Sequence, residues 1–382
     1  MHNCCGITGC PVEKHNLESI CRYRNEAVFA RDAKCEEYVS TESMVANRGG
    51  ITLASSAPSD GKVKRYRKGD VLVSNIRPYF KKIWHASHDG ACSNDVLVFE
   101  ATKCDPNYLF WVLSSDAFFD YMMKTAKGTK MPRGDKKAIM DYQVGLPSVD
   151  QQKAICEILE SLQEKIELNN QLNGYLAVQC EAIAERATGE NTALESLCDL
   201  VTEKADCSEA DFDTYVSTES LLPNKMGRQI ASSLPQTGKV TVYQAGDILI
   251  SNIRPYFKKI WYAGQAGTCS GDVLVFRAKQ PEWAGYLYSC LRNDSFFDFV
   301  MKGAKGTKMP RGDKKQMLTY EVSASPNQLV IGFMASALKH ISTANKESEH
   351  LAALRDALLP KLMSGEVDVS KVNLTQLNSH LV

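Results

Sequence analysis

A perfect internal repeat constrains the fold of this chain more than any other feature. Residues 74–84, SNIRPYFKKIW, recur unchanged at residues 251–261, 177 positions later. At the same offset YVSTES (38–43) recurs at 215–220, and DVLVF (95–99) recurs at 272–276. After one residue inserted in the second copy, AKGTKMPRGDKK (126–137) recurs at 304–315. Because solenoid units run to about 20–50 residues, this period predicts two similar whole domains.

Composition narrows the class of protein. The 382 residues suit two or three domains, and 44% hydrophobic content is typical of a soluble globular chain. The 45 basic and 45 acidic residues cancel, so a nucleic-acid surface would need local segregation of charge. No run of about 18 apolar residues and no basic-then-apolar amino-terminal pattern is present, so we expect a cytoplasmic location.

The thirteen cysteines predict reduced thiols, because their number is odd and the chain lacks a secretion pattern. Cys92 and Cys269 occupy matching positions beside the repeated DVLVF segment, where a small buried thiol is common. The group Cys4, Cys5 and Cys10 lacks paired zinc-ligand spacing, so we expect no metal site there.

Each copy is predicted to be mostly β. Strand patterns cover residues 38–40, 62–66, 70–76 and 95–99, with a short strand at 142–146. Residues 107–124 have helical spacing, and Ser115 or Asp116 is the candidate cap of a second helix. Two glycines, a proline and four basic residues predict that residues 128–137 form a basic loop without regular helix.

Two long segments follow a different, coiled-coil pattern. The first, residues 149–187, has seam positions three and four apart. They are Ile155, Leu159, Leu162, Ile166, Asn169, Asn173, Leu176, Cys180 and Ile183. The second runs from residue 327 to about 363, and we expect Pro360 to kink or end it. Its seam positions are Met334, Ala337, Ile341, Ala344, Ser348, Leu351, Leu354 and Leu358. Neither segment can bury its seam alone, so we expect antiparallel pairing of two rods of roughly 55 Å.

The repeated stretch at 74–84 interleaves cations with aromatics and an amide, a combination suited to phosphates and base edges. Its candidate DNA-binding residues are Asn75, Arg77, Tyr79, Lys81 and Lys82, with Asn252, Arg254, Tyr256, Lys258 and Lys259 in the second copy. The alternative is that Ile76, Phe80, Ile83 and Trp84 form core and that the lysines are a solvated face. We favour the core for the aromatics and nucleic acid for the cations.

The repeated basic loop is the stronger signal for DNA, because crowded cations hinder folding but release counterions on binding a duplex. Its candidates are Thr129, Lys130, Arg133, Lys136 and Lys137, with Thr307, Lys308, Arg311, Lys314 and Lys315 in the second copy. Solvated surface remains the alternative. No catalytic constellation accompanies these loops: none of the seven histidines matches between copies, and no phosphate-binding glycine motif is present.

Motifs along nearly the whole chain resemble the specificity subunit of type I restriction-modification systems. GDVLVSNIRP (69–78) and GDILISNIRP (246–255) are similar to that family's turn and strand. GLPSVDQQKAI (145–155) resembles the start of its first long helix, and LLPKLMSGE (358–366) resembles the end of its last. SPNQLVI (325–331) keeps a proline and a glutamine but departs from the doubled pattern, which leaves the start of the second rod open.

The resemblance implies an α+β chain with two similar, mostly-β target-recognition domains separated by two long antiparallel helices in pseudo-two-fold symmetry. The expected division is 1–148 and 190–325 for the domains, 149–189 and 326–366 for the spacer helices, and 367–382 for a tail. The family reads a bipartite target in double-stranded DNA without catalysis. It docks two methyltransferase subunits and, in some complexes, motor-nuclease subunits, so S-adenosylmethionine, Mg and ATP are expected on partners and no cofactor on this chain.

Because the basic loops are identical in both copies, we predict a palindromic split target. A difference between residues 85–93 and 262–270 would relax that symmetry. Two other readings stay open. One is a free-standing DNA-binding regulator or defence accessory protein on the same scaffold. The other is an interaction protein whose loops grip an acidic partner.

Overall fold

A computed structural model describes residues 12–187, 189–324 and 327–369. Its contacts divide the chain into two compact units. Unit 1 combines Met1–Ile166 with Glu349–Val382, and unit 2 is Glu167–Ser348. Each unit holds one copy of the sequence repeat, called here module 1 and module 2, together with parts of both long helices. The cysteines at positions 4, 5 and 10 and the residues after 369 lie outside the described residues.

Module 1 begins with short strands and continues with helices. Its strands are β1 (Lys14–Asn16), β2 (Cys21–Tyr23), β3 (Ala27–Phe29), β4 (Tyr38–Val39), β5 (Lys62–Tyr66), β6 (Val71–Ser74), β7 (Ile83–His85), β8 (Gly90–Cys92) and β9 (Val96–Ala101). Then come α1 (Pro106–Ser114), α2 (Asp116–Lys124), α3 (Lys136–Met140), β10 (Gln143–Gly145) and the long helix α4 (Val149–Glu185).

Module 2 repeats this order. Its strands are β11 (Asn191–Ala193), β12 (Cys198–Leu200), β13 (Lys204–Asp206), β14 (Lys239–Tyr243), β15 (Ile248–Ser251), β16 (Ile260–Tyr262), β17 (Gly267–Cys269) and β18 (Val273–Ala278). They are followed by α5 (Ala284–Arg292), α6 (Asp294–Gly303), α7 (Lys314–Leu318), β19 (Glu321–Ser323) and the long helix α8 (Gln328–Ser364).

Equivalent sheets form in both modules. An antiparallel sheet has the order β2-β9-β6-β7 in module 1 and β12-β18-β15-β16 in module 2. A second sheet is β3-β5-β8-β4, with β4 parallel to β8, and its counterpart is β13-β14-β17. Strands β6 and β15 are buried along their whole length, and the first three residues of each are Val, Leu or Ile. The predicted fold, α+β with two similar mostly-β domains, is confirmed.

Local chemistry sets the helix boundaries. The hydroxyl of Ser115 accepts the N–H of Phe118, so Ser115 caps α2. The carboxylate of Asp135 accepts the N–H groups of Lys137 and Ala138 and begins α3. The expectation of a loop without helix through residue 137 was therefore wrong at its end, because a capping aspartate overrides the surrounding cations.

The long helices run antiparallel within each unit. In unit 1, Leu162 and Ile166 of α4 form one buried cluster with Leu351 of α8. In unit 2, Asn169 and Asn173 of α4 lie opposite residues of α8 that descend in number, from Ser348 to Asn345. One seam position of the second helix was wrong, because Leu354 is 43% exposed. Of the two outcomes expected at Pro360, the end of the helix is contradicted, because α8 continues to Ser364. Leu359 and Leu362 are buried, so the apolar seam shifts by one position near the end of the helix.

Part of the seam of unit 2 is polar. The side-chain amide of Asn169 donates to Glu347 (2.7 Å) and to the hydroxyl of Ser348 (3.3 Å). The amide of Asn173 donates to Asn345 (2.9 Å), while its own oxygen is buried without a partner among the described atoms. Such buried amides favour one register of paired helices at a cost in stability.

Each module has a buried aspartate, and the arginine that pairs with it occupies a different position in each copy. In module 1, Arg24 makes a bidentate pair with Asp70 (2.6 and 3.0 Å), both nearly fully buried. In module 2, the residue equivalent to Arg24 is Val201, and Arg277 pairs with Asp247 at 2.7 Å on both nitrogens. Arg277 corresponds in turn to Glu100. The two copies have exchanged the position of the cation while keeping the buried carboxylate paired.

Within the described residues, no helix combines the length and the apolarity needed to cross a bilayer. Cys92 and Cys269 are both fully buried and unpaired, and burial raises the pKa of each thiol to about 12.

Candidate nucleic-acid interface

Three segments that are distant in sequence meet on one surface of each module. We call them the aromatic loop (residues 75–82 and 252–259), the basic loop (127–137 and 305–315) and the hairpin turn (43–53 and 220–230). The N–H of Arg77 in the aromatic loop donates to the carbonyl of Pro132 in the basic loop (2.8 Å). In the hairpin turn, the N–H groups of Asn47 and Arg48 donate to the carbonyls of Phe80 (2.8 Å) and Lys81 (2.9 Å). The sequence singled out the first two segments, and the fold places them side by side.

Module 2 has the same contacts. The N–H of Arg254 donates to Pro310 (2.8 Å), and those of Asn224 and Lys225 donate to Phe257 (2.8 Å) and Lys258 (2.9 Å). The surface is therefore a duplicated structural unit as well as a duplicated sequence.

Non-glycine residues hold left-handed backbone conformations around this surface. In module 1 they are Asn47, Arg48, Arg77 and Lys81, with φ between 48° and 62°. Their equivalents Asn224, Lys225, Arg254 and Lys258 have the same conformations. A left-handed conformation costs an ordinary side chain roughly 1–2 kcal/mol. Backbone strain of this kind concentrates at functional sites, so the shared strain marks this surface as a candidate site.

The aromatic loop exposes its two adjacent rings. Tyr79 is 47% exposed and Phe80 is 38% exposed, with ring centres 4.6 Å apart. Tyr256 and Phe257 repeat these exposures and pack at 4.7 Å. The expectation that Phe80 belongs to the core was wrong, because the three-residue helical turn at Pro78–Phe80 lifts it away from the sheet. Trp84 is only partly exposed and packs edge-on against Tyr66 at 5.6 Å.

Several predicted cations are already paired within their own module. In module 1, Lys81 contacts Asp116 (2.7 Å) and Arg133 contacts Asp95 (3.2 Å). The ammonium of Lys82 donates to the carbonyl of Thr41 (2.6 Å) and lies 5.9 Å from the ring centre of Phe80. Burial lowers the pKa of Lys82. Equivalent contacts hold Lys258, Arg311 and Lys259 in module 2. Because these cations are already paired within the protein, they contribute less positive charge to the surface than the sequence suggests.

Other cations of the basic loop carry no ion pair. Lys130, Lys136 and Lys137 are exposed, and none forms a salt bridge with a described residue. The same is true of Lys308, Lys314 and Lys315 in module 2. Thr129 and Thr307 are exposed beside them. Their charge is available to an outside anion, so they are the strongest phosphate-binding candidates on the surface.

Buried polar atoms lie behind the loops. Asn75 and Asn252 are only 7% and 8% exposed, and their side-chain oxygens have no hydrogen-bond partner among the described atoms. The Nε atoms of Arg77 and Arg254 also lack one. A Cβ at Gly134 would lie 2.8 Å from the Asn75 oxygen, so this glycine permits the close approach of the two loops.

An acidic residue ties the hairpin turn to the aromatic loop. In module 2, Asp294 contacts Lys225 (2.8 Å) and Lys258 (3.0 Å). The hydrogen bond from Lys225, and then that from Lys258, lowers the pKa of Asp294. In module 1, Asp116 contacts Arg48 and Lys81 in the same way.

Sequence reasoning missed the hairpin turn. Its signal was a contrast, because its residues differ between the copies, whereas the aromatic and basic loops are identical in both. Within the described ranges, no group of three His, Cys, Asp or Glu side chains is placed to hold a metal ion.

Comparison with known proteins shows what module 1 and most of α4 resemble. Residues 11–176 match the family model described as the type I restriction modification DNA specificity domain. The specificity subunit of type I restriction enzyme EcoDI from Escherichia coli is 28% identical over 158 residues, which are 40% of this chain and 35% of that protein. That of HindI from Haemophilus influenzae is 28% identical over 140 residues, or 35% and 30%. The matched region thus spans about a third of each relative.

A solved structure extends the likeness of fold to almost the whole chain. The type I restriction-modification system S subunit from M. genitalium aligns with 92% of this chain and 96% of its own, at a TM-score of 0.51 and 14% identity. The family match and the curated relatives show that the part of this chain they cover is similar to specificity subunits of type I restriction-modification systems.

Proposed function

We propose that this chain is the DNA-recognition subunit of a type I restriction-modification complex. The observation that carries the proposal is the duplicated surface, where the exposed aromatic rings of the strained aromatic loop lie beside the unpaired lysines of the basic loop in both modules. Unpaired lysines attract phosphates, and flat exposed rings pack against bases or sugars. A protein that gripped an acidic partner would not need the rings.

Two modules with one surface each suit a target in two parts. Residues 1–148 and 190–325 would each read one half, and the identical aromatic and basic loops would read the same features in both. The proposed target is therefore a split, palindromic sequence in its shared positions. Residues 149–189 and 326–366 would act as spacer helices, and 367–382 as a tail.

The chemistry would reside on partners. Two methyltransferase subunits would dock on this chain and carry S-adenosylmethionine, and motor-nuclease subunits would add Mg- and ATP-dependent cutting. This chain would contribute sequence recognition without a catalytic residue, in the cytoplasm with its DNA. Stoichiometric co-purification of a larger methyltransferase subunit would support this assembly over a free-standing regulator.

The DNA contact is tested by replacing lysines that form no salt bridge with a described residue. Lys130→Ala combined with Lys308→Ala removes one unpaired cation from each module. We expect weaker retention of random-sequence duplex DNA and a salt dependence reduced by up to about 2 in the slope of log K against log salt, since each phosphate contact contributes about 0.9. The matched control is Lys62→Ala with Lys239→Ala, which removes an exposed lysine at equivalent positions outside the three segments.

Unchanged affinity and unchanged slope in the lysine pair, with the control behaving in the same way, would contradict the placement of DNA on this surface. Arg133→Ala with Arg311→Ala is the less clean variant, because it also leaves Asp95 and Asp272 without their ion pairs.

A further inference from the structure

The hairpin turn is the part of the interface that distinguishes one module from the other. The aromatic and basic loops are identical in sequence and in backbone contacts. Identical side chains on identical backbones recognise identical features, so they cannot tell one half of a target from the other. Any discrimination must come from a neighbouring segment that differs, and the hairpin turn hydrogen-bonds directly to the aromatic loop.

The backbone of the turn is the same in both modules. Val45 donates its N–H to Gly50 (2.9 Å), as Leu222 does to Gly227 (2.8 Å). The residue that closes the turn donates to Ser43 in module 1 and to Ser220 in module 2, at 2.8 Å in each. The two turns therefore present different side chains on the same backbone hydrogen-bond pattern.

The side chains have contrasting chemistry. Module 1 carries Val45, Gly49, Ile51, Thr52 and Leu53, and module 2 carries Leu222, Met226, Arg228, Gln229 and Ile230 at the same positions. Exposure is high on both, at 78% for Leu53 and 64% for Ile230.

Arg228 in the turn of module 2 also has an unused hydrogen-bond donor. The guanidinium of Arg228 lies 4.8 Å from the ring centre of Trp261, and one terminal nitrogen is buried without a partner among the described atoms. In module 1 the equivalent Ile51 packs against the same hydrophobic cluster as Trp84. Gln229 is exposed where module 1 has Thr52.

We propose that residues 45–53 and 222–230 are the base-discriminating elements of the two modules, an inference that rests on the proposed function. Arginine and glutamine hydrogen-bond to the major-groove edges of guanine and adenine, whereas Thr and aliphatic groups contact the thymine methyl. The two half-sites share the base pairs that face the identical loops and differ at those that face the turns. The turn of module 2 selects a purine, and the turn of module 1 selects thymine.

Transplanting one turn onto the other tests this assignment. The module 1 variant carries Val45→Leu, Gly49→Met, Ile51→Arg, Thr52→Gln and Leu53→Ile. The first two changes belong together, because a Cβ at Gly49 would lie 2.5 Å from a methyl carbon of Val45. Arg48 is retained because it pairs with Asp116. The full chain, with the subunits that co-purify with it, selects from a pool of random double-stranded DNA, and the bound sequences are read.

We expect the variant to bind a target whose first half has acquired the base pairs of the second, with at least about tenfold preference over the original target. Selection of the original target by a folded variant would overturn the proposal. Identical half-sites selected by the unaltered chain would also overturn it, because the turns already differ. If the unaltered chain enriches no sequence at all, the proposed function itself fails, which is a different result.

A smaller exchange covers the case in which the transplanted turn does not fold. Thr52→Gln and, separately, Gln229→Thr each change one exposed side chain on an unaltered backbone. Each should shift the base preference at one position of one half-site by about tenfold and leave the other half unchanged. Preferences that stay the same in both variants would overturn the proposal.

Discussion

Removing the guanidinium from the buried ion pair of module 1 should lower the stability of that module. The arrangement in module 2 suggests which substitutions would restore it. Arg24→Val leaves Asp70 buried without its bidentate partner, since both side chains are less than a tenth exposed. Deleting one member of a buried ion pair costs about 3–5 kcal/mol. The loss is not a matter of volume, because valine occupies the equivalent position, Val201, in module 2.

To restore the stability, the ion pair of module 2 is rebuilt in module 1. Glu100→Arg restores a guanidinium from the strand that carries Arg277 in module 2, and Arg22→Asp removes the cation that now contacts Glu100 (2.8 Å). Asp199 occupies that position in module 2. The triple variant, Arg22→Asp with Arg24→Val and Glu100→Arg, should recover most of the stability that Arg24→Val loses.

Tryptophan fluorescence during urea unfolding measures the stability of module 1 separately from that of module 2. The chain has four tryptophans, two in each module, so Trp261→Phe with Trp283→Phe leaves Trp84 and Trp111 as reporters of module 1. Glu100→Arg alone is the control, because it crowds a second arginine near Arg24. A loss below about 1 kcal/mol in Arg24→Val, or a triple variant no more stable than Arg24→Val, would refute the reasoning.

Two further predictions concern the hairpin turn and the helix seam. The lowered pKa of Asp294 means that its stabilisation of module 2 is present above the unfolded pKa of about 3.9 and is lost as pH falls through the lower folded pKa. Asp294→Asn should therefore reduce the melting temperature at pH 7 but match the unaltered chain near pH 2, and an equal deficit at both pH values would argue against it. In the seam, Asn345→Ala should cost about 1–3 kcal/mol by leaving Asn173 unpaired, whereas Asn173→Leu with Asn345→Leu should be neutral or stabilising; denaturant unfolding of both variants tests this, and a double variant weaker than the single one would contradict it.

The sequence was sufficient for the architecture because the repeat and the long 3-4 spacing can be recognised without knowing any tertiary contact. The α+β class with two similar domains and the resemblance to type I specificity subunits are confirmed. The seam failed at Leu354 because the predicted positions there take two consecutive steps of three residues, whereas the seven-residue repeat continues at Arg355, whose side chain is 12% exposed.

The candidate site was harder to predict because its geometry depends on contacts between distant residues. Lys81 is counted as a free cation in the sequence, but Asp116, 35 positions later, neutralises it in the fold. The contact of the aromatic loop with the hairpin turn also joins segments that no local pattern connects. The sequence shows that the two hairpin turns differ between the copies. Only the structure shows that both turns contact the aromatic loop through the same backbone hydrogen bonds.

The left-handed residues of the interface have a consequence for how this protein can evolve. Glycine at position 77 or 81 would relieve roughly 1–2 kcal/mol of backbone strain at each site, but it would also delete a cation from the surface. Selection for stability alone would therefore favour glycine at these positions. Both copies instead have arginine and lysine there, which supports the proposal that this surface binds DNA.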